Sequence, residues 1–163
     1  MANILKKGMS INETYTVEFF IGEGAFGEVY RVKHKYFNEY QVMKVFKPEY
    51  TMNTDLKEIM IEAQILAHLT HPNIVRVFAA NQFFLGGLSY YFLTMSFVSG
   101  ESLSQLISRK MQLDVATTVS IITDVLQGLK VAHEHSPMIV HRDINPDNIL
   151  LAYDGPKPTG LLG

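Results

Sequence analysis

Residues 140–149 read VHRDINPDNI and form the most informative stretch of the chain. They set Asp143 and Asn148 five positions apart. Pro146 lies between them, and because a proline inside a helix removes a backbone hydrogen bond and clashes with the preceding turn, we expect a loop here. An acid and an amide on one loop suit a proton acceptor beside a metal ligand. The stretch therefore predicts a catalytic loop.

A second motif lies near the start of the chain, where residues 21–29 read IGEGAFGEV. Glycines at 22, 24 and 27 let backbone N–H groups approach a phosphate without obstruction from a Cβ atom. A dinucleotide-binding fold would continue into a helix, whereas residues 28–32 continue as a strand, which disfavours that fold. A glycine-rich turn without a ligand is the plainer alternative.

Both motifs resemble those of the protein kinase family. Residues 141–148 match H-R-D-x-x-x-x-N, and residues 22–29 match G-x-G-x-x-G-x-V. The resemblance covers roughly residues 15–155. It implies an α+β fold: a five-stranded antiparallel sheet with one αC-type helix, then a truncated, mainly helical lobe. The expected domains are residues 1–95, with the glycine-rich loop, and residues 96–163, with the hinge and the catalytic loop.

The periodicity of the sequence is consistent with that organisation. Alternating apolar and polar residues predict three antiparallel strands over 15–46, and short apolar runs predict two more at 74–80 and 88–95. A helical period predicts a helix over 54–69, a short helix near 103 and a long helix after Asp114. In the long helix the predicted apolar stripe is Val115, Val119, Ile122, Leu126 and Leu129.

Lys44 and Glu62 form a candidate ion pair. Lys44 lies in an apolar strand, and a hairpin centred near residues 37 and 38 pairs it roughly with Arg31, beneath the glycine-rich loop. Glu62 falls at the border of the buried face of the helix over 54–69, where an unpaired carboxylate is costly and Lys44 is the plausible cation. The alternative is an edge-strand lysine that points to water.

The resemblance assigns a role to each motif residue. It implies that Asp143 accepts or steers the proton of a substrate hydroxyl, Asn148 holds Mg²⁺, and Lys44, oriented by Glu62, holds the α- and β-phosphates of ATP. Gly22, Gly24 and Gly27 face the phosphates. The residues assigned to adenine are Ile21, Val29 and Val42 around the ring, Met95 as gatekeeper, and Phe97 and Val98 for hinge backbone contacts. The implied function is ATP-dependent phosphorylation of Ser or Thr in protein substrates.

Two departures from the family pattern limit that expectation. Asn145 stands where serine/threonine kinases usually have a lysine, although Pro146 still follows their pattern. No D-F-G occurs, and residues 159–163 resemble the strand that leads into it; the competing alignment puts Leu161-Leu162-Gly163 in place of the motif, which would make a degenerate kinase. We expect a fragment of a longer kinase, without useful phosphotransfer on its own. A pseudokinase that binds nucleotide or acts as a scaffold is the alternative, and a small-molecule kinase is disfavoured by Arg142.

Composition narrows the remaining classes. The net charge of -2 argues against broad nucleic-acid binding, and the absence of cysteine excludes disulfides and thiolate metal sites. No apolar run approaches the roughly 18 residues that a membrane span needs, so we expect a cytoplasmic protein. A truncated lobe would leave an apolar face of the long helix uncovered, which predicts self-association.

Overall fold

The structure, a computed structural model, describes residues 3–24, 26–48, 65–153 and 158–163. These ranges contain nine strands and two helices that are each at least eight residues long. The strands are β1 Ser10–Ile11, β2 Tyr15–Glu23, β3 Gly27–His34, β4 Glu39–Phe46, β5 Val77–Leu85, β6 Leu88–Ser96, β7 Gly100–Ser102, β8 Ile149–Ala152 and β9 Thr159–Leu162. The helices are α1 Leu103–Lys110 and α2 Val115–Glu134. Most of the helix predicted over 54–69 lies outside the described residues. Residues 65–68, which the structure does describe, are helical.

The first sheet has six antiparallel strands in the order β1-β2-β3-β4-β6-β5. The predicted strand at 74–80 is shifted, because β5 begins at Val77 and runs to Leu85. The sixth strand is β1, which pairs Ser10 with Thr16 and Ile11 with Tyr15. The predicted count of five is therefore corrected: a two-residue strand is too short for its alternation to be recognised in the sequence.

The hairpin between β3 and β4 differs in register from the prediction. Lys44 pairs with Val29, and Arg31 pairs with Val42. The register follows from the turn, in which His34 and Glu39 form the last pair and Asn38 adopts a left-handed φ of 55°. β4 also pairs with β6, so Lys44 lies on a central strand. The edge-strand alternative for Lys44 is thereby excluded.

The N-terminal segment, residues 4–11, packs on one face of this sheet. Leu5 and Ile11 are buried in one cluster with Tyr30, Met43 and other strand residues. The backbone N–H of Gly8 donates to the carbonyl of Val17 at 2.7 Å. The segment is thus part of the core of the sheet.

A second sheet pairs β7, β8 and β9 in that order. Asn73 attaches a further segment to it: the Asn73 side chain donates to the carbonyl of Gly160 at 2.9 Å, and the Leu162 N–H donates to the carbonyl of Asn73 at 2.9 Å. The Val75 N–H donates to the carbonyl of Leu162 at 2.9 Å. Residues 73–75 therefore extend the second sheet beside β9.

Two compact units result, with limits that differ from the predicted 1–95 and 96–163. The first comprises residues up to 68 and 77–97, and the second comprises 69–76 and 98–163. The chain enters the second unit early because residues 73–75 bond to β9. It leaves the first unit again between Phe97 and Val98.

Helix α2 buries a different face from the one predicted. Of the five stripe residues only Leu129 is buried, and Val115 is 79% exposed. The buried face contains small residues, and a Cβ at Gly128 would lie 2.8 Å from the carbonyl oxygen of Asn73. Close approach of the helix backbone at Gly128 selects this face, which also carries the buried side chains of Ile121 and Val125. An apolar stripe of α2 is uncovered, as expected, whereas self-association stays a prediction.

Among the described residues, α2 has the length and the mean hydropathy, 1.3, of a membrane span. One such helix is weak evidence, because a core helix of a soluble protein passes the same test. Asp114 caps α2 by accepting from the Thr117 N–H at 2.8 Å. Gly160 donates its N–H to the Asp124 carboxylate at 3.1 Å, which joins β9 to α2.

Candidate nucleotide and catalytic site

The glycine-rich loop connects β2 to β3, and its glycines have two different tasks. A Cβ at Gly27 would lie 2.1 Å from the carbonyl oxygen of Val45, so close contact with β4 requires glycine there. A Cβ at Gly22 or Gly24 would meet nothing within 4 Å. The Gly24 N–H donates to the carbonyl of Gly27 at 2.9 Å and narrows the turn. The open space around the first two glycines is compatible with an approaching phosphate.

Four of the residues assigned to nucleotide lie on one face of the first sheet. Val29 and Lys44 are directly paired, and Val42 and Met95 are paired in a neighbouring row. Directly opposed residues of an antiparallel pair share a face, and alternate residues of one strand share it too. Ile21 is 46% exposed near the end of β2. Val29, Val42 and Met95 thus share one face of the sheet with the ammonium group of Lys44.

Lys44 belongs to the first unit, and its Nζ lies 5.9 Å from the centroid of the Phe46 ring. Glu62 lies outside the described residues, so the Lys44–Glu62 pair stays a prediction. Asp143 and Asn148 belong to the second unit. Their convergence with Lys44 on one triphosphate also stays a prediction.

The hinge residue Phe97 has a partner that the sequence did not suggest. The Arg31 guanidinium lies 4.3 Å from the ring centroid of Phe19, 4.4 Å from that of Tyr40 and 5.4 Å from that of Phe97. Such cation–π contacts fall within the effective range of about 6 Å. Arg31 therefore links the side chain of Phe97 to β2 and β4. Val98 is the first residue after the boundary of the first unit.

Among the predicted site elements, the catalytic loop is the one that the structure describes most fully. Asn148 donates its side-chain amide to Asp143 Oδ2 at 2.8 Å and to the Asp143 carbonyl at 2.9 Å. The Asn148 backbone is fixed as well, because its carbonyl accepts from the Gly163 N–H at 3.0 Å. Asp143 is exposed and Asn148 half-buried. The two residues predicted to act together are brought together.

Asn145, the departure from the family pattern, contacts the same acid. Its side-chain amide donates to Asp143 Oδ1 at 2.8 Å, and its Oδ1 accepts from the Asp147 N–H at 2.9 Å. Each oxygen of the Asp143 carboxyl group thus accepts from one asparagine. A carboxylate has about four acceptor positions, so positions are left for a substrate hydroxyl. Asn145 is a site residue whose contact the sequence did not indicate.

His141 and Arg142 shape the backbone of the loop. His141 Nε2 lies 2.9 Å from the carbonyl oxygen of Gly163, and its Nδ1 accepts from the Asp143 N–H at 3.3 Å. Arg142 has a left-handed φ of 63°, a conformation that non-glycine residues adopt mainly at constrained sites. His141 thus joins the loop to the residue that follows β9.

The donor set can be compared with the needs of Mg²⁺. Among the described residues no group of three or more His, Cys, Asp and Glu side chains could hold a metal ion. Mg²⁺ is commonly bound through one or two protein oxygens, with water and substrate phosphates completing the octahedron. The side-chain amide nitrogen of Asn148 is used by Asp143, which leaves its carbonyl oxygen as the ligand atom. The site therefore suits a Mg²⁺ ion that is also coordinated by a phosphate group.

Comparisons with known proteins give the family. A protein kinase domain model matches residues 15–157. The serine/threonine-protein kinase pkn3 of Myxococcus xanthus is 33% identical over 147 residues, which are 88% of this chain and 26% of that protein. A probable serine/threonine-protein kinase PknB of Lactococcus lactis is 30% identical over 155 residues, 93% of this chain and 24% of that protein.

Solved structures agree with that result. The crystal structure of the Mycobacterium tuberculosis PknI kinase domain superposes with a TM-score of 0.80 at 30% identity, covering 97% of this chain and 61% of that one. The chain belongs to the protein kinase family, and the expected protein-kinase-like α+β fold is confirmed. The chain spans about a quarter of the length of these curated relatives and about three-fifths of the length of the PknI kinase domain.

Proposed function

We propose that the protein containing this chain transfers the γ-phosphate of ATP to Ser or Thr hydroxyls of protein substrates. The observation that carries the proposal is the bonding of Asn148 and Asn145 to opposite oxygens of Asp143 within an H-R-D-x-x-x-x-N loop. The serine/threonine kinases among its relatives support the substrate class.

The proposed chemistry uses each residue in one way. The substrate oxygen attacks the γ-phosphorus, the bond to the β,γ-bridging oxygen breaks, and ADP leaves with its electrons. The substrate proton passes to Asp143, whose carboxyl group is held in place by its two amide donors. Lys44 neutralises charge on the α- and β-phosphates. Asn148 would hold Mg²⁺, which supplies further charge neutralisation on the phosphate oxygens.

Nucleotide binding is the first test. The 163-residue chain is titrated with ATP, with and without Mg²⁺, beside Lys44→Met and Asn148→Ala. We expect Lys44→Met to weaken binding in both conditions and Asn148→Ala to remove the Mg²⁺-dependent part. Lys35→Met, which changes an exposed lysine of the β3–β4 turn, is the matched control. Binding unaffected by Lys44→Met would contradict the assignment of Lys44.

Phosphotransfer is the second test. In the full-length protein, Asp143→Asn is expected to lower incorporation of labelled phosphate by about 10²–10⁴-fold, the usual contribution of a positioned general base. The 163-residue chain alone is expected to be without useful transfer. Clear labelling of a protein substrate by the chain alone would contradict that expectation.

A pseudokinase-type nucleotide-binding or scaffold module is the second candidate. Asn145 favours it, because a neutral amide contacts Asp143 where the family usually places a cation. The discriminating result is ATP binding by a full-length protein that labels no substrate, including itself. Retained binding with measurable transfer that depends on Asp143 would exclude this candidate.

A further inference from the structure

We propose that the N-terminal segment positions the glycine-rich loop, and that Glu28 is the positioning residue through which it does so. The consequence for nucleotide affinity rests on the proposed ATP-binding function, whereas the mechanical coupling does not. The relevant contacts lie on the sheet face opposite the predicted nucleotide surface, because Glu28 and Tyr30 alternate with Val29 along β3.

Two hydrogen bonds connect the segment to β3, and a third joins their two acceptor side chains within the strand. The Ile4 N–H donates to Glu28 Oε2 at 2.8 Å, and the Leu5 N–H donates to the Tyr30 hydroxyl oxygen at 2.9 Å. The Tyr30 hydroxyl in turn donates to Glu28 Oε2. Two successive backbone amides of the segment are therefore bonded, directly or through Tyr30, to one carboxyl group.

Burial makes these contacts consequential. Glu28 is 6% exposed and Tyr30 is fully buried. A polar group removed from water needs hydrogen-bonding partners, and the ones described for Glu28 are the Ile4 amide and the Tyr30 hydroxyl. Burial, followed by the bond to Glu28, raises the pKa of Tyr30, so its hydroxyl stays protonated and remains a donor. The inward position of Glu28 thus depends on a docked segment.

The position of Glu28 in the chain connects it to the loop. Glu28 follows Gly27, whose Cα approaches the Val45 carbonyl so closely that no side chain fits. It precedes Val29, which lies on the predicted nucleotide face and pairs with Lys44. An inward Glu28 therefore fixes the peptide groups between Gly27 and Val29.

The segment also holds the other side of the loop. It pairs with β2 through β1, and the Val17 N–H donates to the Met9 carbonyl at 2.9 Å. Leu5 and Ile11 bury their side chains against the same strands. Both strands that enter and leave the glycine-rich loop are consequently anchored by residues 4–11, none of which is assigned to the nucleotide.

The test separates this coupling from general stability. Ile4→Pro removes the amide donor to Glu28, Ile4→Val keeps it, Glu28→Ala removes the acceptor, and Glu28→Gln keeps an acceptor oxygen. Phe83→Leu, in the core on β5, is the matched destabilised control. Amide hydrogen exchange is measured at Gly24 and Lys47, whose N–H groups bond to the carbonyls of Gly27 and Phe26. ATP affinity is measured on the same variants.

We expect exchange at both amides to be at least about tenfold faster in Ile4→Pro and Glu28→Ala than in Phe83→Leu. The exchange rates are compared after correction for the loss of Tm of each variant. Glu28→Gln and Ile4→Val should recover most of the protection, and ATP affinity should follow the same order. Exchange no faster than in Phe83→Leu would overturn the proposal. If Ile4→Pro does not fold, Glu28→Ala decides. A wild-type chain that binds no ATP would refute the proposed function, while the exchange data would still decide the coupling.

Discussion

The glycine-rich loop and the catalytic loop are fixed by different forces. The glycine-rich loop lies between two paired strands, and its third glycine fits against the β4 backbone with no room for a side chain. The catalytic loop is largely exposed and is fixed by hydrogen bonds that asparagine side chains donate to Asp143 and by one that the Asp143 N–H donates to the His141 ring. Changes at the third glycine of the first loop should therefore alter stability, whereas changes in the second loop should alter activity with little loss of stability.

The largest expected effect comes from Gly27→Ala. Its Cβ would lie 2.1 Å from the Val45 carbonyl oxygen, so β3 must move, at a cost of about 3 kcal/mol in the free energy of unfolding. Gly24→Ala, with nothing within 4 Å of its Cβ, should leave stability nearly unchanged and weaken ATP binding only. Urea unfolding and ATP titration of both variants provide the check. Equal stability of the two variants would remove the basis of the comparison.

The second effect concerns the sheet next to the catalytic loop. Asn73 is 4% exposed and donates to the Gly160 carbonyl, so Asn73→Ala leaves a buried acceptor without this donor. We expect a loss of about 1–3 kcal/mol, measured by urea unfolding. Asn81→Ala, at an exposed position of β5, is the control. A neutral Asn73→Ala would show that β9 is anchored mainly by apolar packing.

A smaller loss of stability is expected for Asn145→Ala in the catalytic loop. The contact to Asp143 is partly solvated, so we expect about 1 kcal/mol or less in the free energy of unfolding. In the full-length protein, kcat should fall by at least about tenfold with KM for ATP unchanged, because Asp143 loses one of its two positioning amides. Ile144→Ala, at a neighbouring exposed residue, should change neither. A proportionate change in KM would indicate that Asn145 acts on the nucleotide.

The smallest effect is a pH dependence at the base of α1. Hydrogen bonds from Arg109, at 2.6 Å, and from Tyr153, at 2.5 Å, lower the pKa of Glu101 below its ordinary value of 4.5. A lowered carboxyl pKa stabilises the folded state above the unfolded pKa, and this contribution disappears as the pH falls through the folded pKa. The Tm difference between wild type and Glu101→Gln should therefore be present at pH 7 and vanish at the acid end. A difference that persists there would assign it to packing.

The two loops also differ in how far the sequence predicted them. The spacing indicated that Asp143 and Asn148 lie on one loop, because only four residues, one of them Pro146, separate them. The bond from Asn145 to Asp143 was missed, since a substitution relative to a family pattern shows what is lost but not what the new side chain contacts.

Long-range contacts account for the other differences. The strand pattern over 15–46 predicted three strands, but the register of β3 on β4 depended on the left-handed Asn38 in the turn. The stripe predicted on α2 was wrong because Gly128 and Gly160 allow backbone approach on another side. The partner of Arg31 at the hinge could not be read from the sequence, since Phe97 lies 66 positions away.

The sequence thus determined the local chemistry in short motifs: the three glycines, Lys44 in an apolar strand, and Asp143 and Asn148 on one loop match the pattern of the protein kinase family, to which the chain belongs. Only the tertiary structure decided which faces are buried, where residues 73–75 attach, and how the N-terminal segment reaches Glu28. The physical reason is that motif residues are neighbours along the chain, whereas packing faces and buried hydrogen bonds join residues far apart in sequence, whose pairing depends on the fold as a whole.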